Sequence, residues 1–162
     1  MWIPPRTNAV VGRIEDLASS EVRVIAVAKP ELAPHGQAAI DALKHAGIWD
    51  KVQPKIVYAE NIGMKKQYGM SGNADAVFTS YSLVLREGGK VIQVDQRLYQ
   101  PLIQEIGIIA RSHHREAARK FVEFLLSGEG REVLREYGYR SKARADGREP
   151  SRLVRFLMCR EP

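Results

Sequence analysis

The chain has 162 residues, 44% of them apolar, and a formal net charge of +6. That length fits one domain of ordinary size, or one and a half small ones, around a globular core. It holds no apolar run of about 18 residues, which excludes a helical membrane span, and its single cysteine, Cys159, excludes an internal disulfide. The charge is unevenly placed. From Arg140 to Pro162 there are seven Arg/Lys and three Asp/Glu, a net of +4, which leaves +2 for the preceding residues. Apart from Phe156 this basic tail has no interleaved aromatics, so it reads as a solvated end and not as a nucleic-acid-binding arm.

The N-terminus, MWIPPRTNAVVGR, lacks the charged-then-apolar layout of an export signal. Short Val- and Ile-rich runs then predict strands at 22–28 (VRVIAVA), 54–59 (PKIVYA), 74–80 (ADAVFTS), 90–95 (KVIQVD) and 105–110 (EIGIIA). Between the first two, Ala38, Ala39, Ala42, Leu43 and Ala46 share one helical face. Gly47 ends that helix, and Trp49 covers the apolar floor beyond it. Alternation of strand and helix predicts a mainly parallel, helix-covered sheet. After Arg111 the pattern changes. Ala117, Ala118, Phe121, Val122, Leu125 and Leu126 make a strongly amphipathic helix, Ser127-Gly128 interrupts it, and a second helix runs through Val133, Leu134 and Tyr137 to a stop at Gly138. With no strand expected to follow, the pair reads as a piece that packs on something else. LVRFLM (153–158) reads as a short strand or helix.

Three strand-to-helix turns are candidate ligand sites: Lys29 to Gly36, Tyr58 to Gly63, and Phe78 to Ser82. In an open α/β sheet ligands sit at the carboxyl ends of strands, where helix N-termini present free N–H groups and a positive dipole end to an anion. Backbone amides of His35 and Ile62 are the expected donors to a tetrahedral oxyanion, with the Ser80 hydroxyl as a third. Gly36, Asn61 and Tyr81 are secondary candidates. Such a site needs no lysine or arginine, and the Lys65-Lys66 pair reads as a solvated helix face. Glu60 and Asp75 are separate carboxylates, and no G-x-S-x-G, Walker loop or Cys-His arrangement appears, so no enzyme is expected. His113-His114 lack supporting carboxylates and do not read as a metal site. His45, near a helix end, reads as a cap.

The order and wording of these segments resemble the periplasmic molybdate-binding proteins of ABC importers. The signs are the P-E-x-A-P-x-G-x-A-A helix start, the G-x-W-D-K helix end, the E-N-I turn, G-N-A-D-A before the third strand, and a final helix pair ending in Y-G-Y, together spanning Val22 to Tyr139. The resemblance implies an α/β fold of the type II periplasmic-binding-protein kind, with one nearly complete lobe plus a C-terminal helix pair from the other lobe. It implies an oxyanion lobe at 8–104, a hinge strand and helix pair at 105–139, and a basic tail at 140–162. His35 matches the position before the helix glycine whose main-chain N–H touches the oxyanion, and Ile62 matches a second main-chain donor. Ser80 falls near a position where some members place a tyrosine hydroxyl, and here the tyrosine comes one residue later, at Tyr81.

Family members begin with a first lobe that adds two serine- or threonine-type contacts. Nothing before Val22 supplies it; residues 1–21 look like a hinge crossing and a short helix. If each donor to a charged oxygen contributes about 1.5–3 kcal/mol, losing two or three weakens affinity by about two to six orders of magnitude. The implied ligand is molybdate or tungstate, without cofactor or metal. The implied partner is an ABC permease and the implied compartment is the periplasm, or the cytoplasm if Met1 is the true start, with no membrane insertion. The alternative reading is a non-transporting interaction or regulatory module that forms a homodimer through the surface the missing lobe exposes.

Overall fold

The computed structural model describes residues 1–141 and the strand Leu153–Met158. The chain forms two compact units, Met1–Gln100 and Pro101–Pro162. The division thus falls at Gln100, ahead of the strand that follows, and the first unit takes in residues 1–7.

The first unit runs β1 (Trp2–Ile3), β2 (Ile25–Ala28), α1 (Pro34–His45), α2 (Trp49–Val52), β3 (Ile56–Ala59), α3 (Ile62–Met70), β4 (Ala76–Val77) and β5 (Lys90–Val91). Its sheet has the order β3-β2-β4-β1-β5. β2 pairs in parallel with both β3 and β4, while β1 lies antiparallel between β4 and β5. The expected parallel sheet is therefore mixed, because the segment read as a hinge crossing supplies a reversed strand. Trp2 holds it there. The side chain is fully buried, its indole N–H donates to the Gly88 carbonyl at 2.8 Å, and it fills the space beside Gly69, where a Cβ would come within 2.5 Å of the ring.

β2 is buried along its whole length, as a strand covered on both faces must be. Its side chains alternate. Ile25 and Val27 join Ala39, Ala42 and Leu43 of α1 in the larger core, and Ala26 joins Trp2, Val77 and the half-buried Tyr68 of α3 in the smaller one. Complete burial of a side chain such as Leu43 contributes about 1.5–3 kcal/mol. α1 and α3 thus cover opposite faces of the same central strand. α1 ends as its sequence indicates: Gly47 has φ of 70°, and the Gly47 and Ile48 amides close on Lys44 and Leu43. His45 does not cap its own helix. Its Nδ1 donates to the Leu98 carbonyl at 2.7 Å, tying α1 to the turn Gln96–Leu98. Trp49 packs against the core, with the Lys44 ammonium 5.6 Å from its ring centre.

β4 and β5 are shorter than the predicted 74–80 and 90–95. Before β4, the Asp75 carboxylate draws off the amides of Arg23 and Val24, at 2.8 and 3.2 Å. After it, the Phe78 carbonyl accepts from a side chain, the Lys65 Nζ at 3.1 Å.

The second unit contains β6 (Ile103–Gly107), α4 (Arg115–Leu126), α5 (Gly128–Glu136), β7 (Tyr139–Ser141) and β8 (Leu153–Met158), with a three-stranded antiparallel sheet in the order β6-β8-β7. Two expectations change. A strand, β7, does follow the helix pair, and LVRFLM takes the strand option because β8 finds partners on both sides. Ser127 makes the joint between the helices, accepting from the Gly130 amide at 3.1 Å and donating to the Phe124 carbonyl at 2.7 Å. Phe121, Phe124 and Val133 stay 43–55% exposed. The rest of the basic tail, residues 142–152 and 159–162 with Cys159, lies outside the described residues.

Candidate functional site

The three sequence-marked turns come together at one edge of the first sheet. β3, β2 and β4 are neighbours running in the same direction, so their carboxyl ends lie side by side, about 5 Å apart from strand to strand. His35 follows β2, Ile62 follows β3 and Ser80 follows β4. The chain leaves β2 toward β3 and leaves β4 toward the other side of the sheet, so a topological switch point opens between β2 and β4.

α1 is set directly on the end of β2. Gly36 lies so close that a Cβ there would fall 2.2 Å from the Ala28 carbonyl oxygen. The helix has no side-chain cap at Ala33, and Pro34 occupies its first position. The Gly36 amide turns back to the Ala33 carbonyl at 2.9 Å, so Gly36 serves by close approach. The His35 N–H, at the second position, has no intrahelical acceptor. α3 differs. Asn61 caps it, its Oδ1 accepting from the Met64 amide at 2.9 Å, which leaves the amides of Ile62 and Gly63 as the unfilled donors of the first turn. Lys29 and Glu60, paired at 3.0 Å, tie the two loops together. Ser80 is half-buried at the start of the turn Tyr81–Leu83, and its Oγ accepts from the Ser82 hydroxyl at 3.4 Å. Tyr81 is half-buried and engaged in an interaction of its own.

The structure adds one residue that sequence reasoning placed elsewhere. The Lys65-Lys66 pair is not a solvated face. Lys66 reaches the surface and pairs with Glu87, whereas Lys65 is 2% exposed with its Nζ on the Phe78 carbonyl, past the end of β4. Burial pulls its ammonium below the ordinary 10.5. Burial first, and the Lys65 charge second, also hold the His35 imidazole below its ordinary 6.5, so the ring is neutral near pH 7. His35 Nε2 is itself buried without a hydrogen-bond partner among the described residues. A signal for Lys65 was present: it stands three and four residues before Tyr68 and Gly69, on the inward stripe of α3.

Asp75, from the G-N-A-D-A segment, is structural. Only 7% exposed, it accepts from the Thr7 hydroxyl at 2.7 Å as well as from the amides of Arg23 and Val24, and so locks the approach to β2. Among the described residues no three His, Cys, Asp or Glu side chains are grouped to hold a metal, and no helix is long and apolar enough to cross a membrane.

The pattern of the bacterial extracellular solute-binding protein family matches residues 1–140. The molybdate-binding protein ModA of Rhodobacter capsulatus is 32% identical over 136 residues, which are 82% of this chain and 54% of that protein. A solved substrate-binding domain from Clostridium difficile, provisionally assigned to a molybdenum ABC transporter, is 31% identical with a TM-score of 0.68, over 84% of this chain and 60% of that one. The periplasmic molybdate-binding protein of Azotobacter vinelandii superposes with a TM-score of 0.70 over 87% of this chain and 64% of that one; at 22% identity it speaks for the fold alone. The chain spans about half the length of the curated relatives it matches. With the family pattern covering residues 1–140, and so reaching from the first unit into the second, this chain belongs to the bacterial extracellular solute-binding proteins.

Proposed function

We propose that this chain forms the oxyanion-holding lobe of the substrate-binding component of an ABC importer, with molybdate as ligand and tungstate as its accepted analogue. The main-chain N–H groups of His35 and Ile62 and the hydroxyl of Ser80 donate to the oxygens. Neutral donors of this kind hold a dianion without a covalent step, and their fixed spacing selects its size. The observation that carries this reading is the pair of helix starts at the carboxyl ends of adjacent parallel strands, each with an amide outside the sheet ladder and the helix bonds. The printed names of the relatives supply the ligand class. In the complete transport system a second lobe closes over the ion, and a permease receives it at the outer face of the membrane. The role is capture and release, not catalysis.

Titration calorimetry with molybdate, tungstate, sulfate and phosphate tests this reading. Molybdate and tungstate are expected to bind with similar affinity and ahead of the two smaller ions. One lobe's share of donors places that affinity about two to six orders of magnitude below that of a two-lobed relative. Sulfate binding more tightly than molybdate overturns the specificity, and absence of heat with every ion overturns the site.

A further inference from the structure

Lys65 carries a charge that no carboxylate pairs with among the described residues. A helical side chain leans toward the N-terminus of its helix, so Lys65, one turn into α3, runs back alongside the free amides of the first turn. Its ammonium ends on the Phe78 carbonyl, 3.1 Å away, at the strand ends that flank the switch point. An ammonium has three N–H donors. One is used here, and the other two have no acceptor among the described residues. The nearby carboxylates are engaged elsewhere, Glu60 with Lys29 and Glu87 with Lys66. No carboxylate among the described residues lies within ion-pair distance of Lys65. The N-termini of α1 and α3 add partial positive charge at the same edge. His35 Nε2, buried and unpartnered among the described residues, belongs to a ring whose protonation the Lys65 charge disfavours. A buried cation beside two positive helix ends is costly to the empty protein, and an anion seated among them relieves every one of these terms.

We propose that Lys65 supplies the counter-charge of the site, giving its spare N–H groups to a doubly charged tetrahedral oxyanion at the ends of β2, β3 and β4. The inference rests on the oxyanion reading above and deepens it: the site selects by charge as well as by size. Dianions such as molybdate and tungstate are favoured over perrhenate, a tetrahedral ion of similar size with a single charge.

Calorimetry of the whole chain with molybdate and perrhenate, for wild type, Lys65→Met and Lys65→Arg, decides it. Lys65→Met is expected to lower molybdate affinity by about tenfold or more and perrhenate affinity by less, so that the ratio of the two falls. Without anion the same variant is expected to melt at a higher temperature than wild type, since an apolar chain of similar volume replaces a buried charge. Lys65→Arg retains the preference for molybdate. Lys65→Gln, which keeps a donor for the Phe78 carbonyl while removing the charge, covers the case in which the methionine variant does not fold, and is expected to lose the preference too. Wild-type molybdate affinity in Lys65→Met or Lys65→Gln, or an equal fall for both ions, overturns the inference alone and leaves Lys65 as a tether of β4. No heat from the wild type with either ion overturns the oxyanion reading and the inference together.

Discussion

Asp75 and Lys65 are both buried ionisable groups, and they act on stability in opposite directions. The Asp75 carboxyl is pulled up by burial and pulled down further by the Arg23 amide, the Thr7 hydroxyl, the Val24 amide and the Arg23 charge, which leaves it below its ordinary 3.8. A carboxyl whose folded value is depressed stabilises the fold above its unfolded value, and that contribution is lost as pH falls through the folded one. Asp75→Asn is therefore expected to unfold at lower denaturant concentration than wild type at pH 7, with the gap narrowing below about pH 4. Asp75→Ala, which strands two amides and a hydroxyl, is expected to cost about 1–3 kcal/mol in the same assay. Lys65, with its value depressed, is a source of instability that diminishes as pH rises toward its unfolded value. The Asp75 role was not legible in the sequence, and the Lys65 role was signalled only by its spacing to Tyr68 and Gly69. Asp75 carries no mark of its three partners, one of them 68 residues away in sequence. Lys65 sits in a two-lysine step, and its spacing to Tyr68 and Gly69 points it inward without showing the Phe78 carbonyl it meets.

Among the elements, α1 was legible because its alanine spacing, its terminal glycine and its proline at the start all agree. The contact that seats it was not. Gly36 meets the Ala28 carbonyl across a loop, and nothing in a helical period announces that approach. Gly36→Ala is expected to push α1 off the strand end, lowering stability by about 1–3 kcal/mol and abolishing molybdate heat, as paired melting and calorimetry would register. α3 offers a cleaner separation of structure from binding. Asn61→Ala removes the cap and is expected to cost about 0.5–2 kcal/mol. Asn61→Asp keeps a capping oxygen and adds a charge that suits the helix end, so the free protein is expected to lose nothing in a melt. The same charge stands beside the oxyanion, and molybdate affinity is expected to fall. Strand ends were the least legible feature, since side chains of Asp75 and Lys65 take over bonds that periodicity assigns to the ladder.

For the whole molecule, both units leave large apolar side chains in solvent: Val10 and Leu32 in the first, and a helical face in the second. Phe121 and Val133, from two successive helices, remain 55% and 44% exposed. Phe121→Ser is accordingly expected to change unfolding free energy by less than about 0.5 kcal/mol, measured by denaturant titration. The family fold was legible from motifs between Val22 and Tyr139, while β1 was not, because two residues are too few to show a period. Its position has a consequence for how the sheet is made. β1 lies inside the sheet, yet the ribosome delivers it well ahead of both flanking strands. Some 87 residues separate Ile3 from Lys90, which is about 4–17 s of synthesis at ~5–20 residues per second. Until Val77, Val84 and Gly88 follow, the indole of Trp2 lacks groups that enclose it in the folded sheet. The protein has two tryptophans; with Trp49 changed to Phe, the emission of Trp2 becomes a clock for the last strand to close.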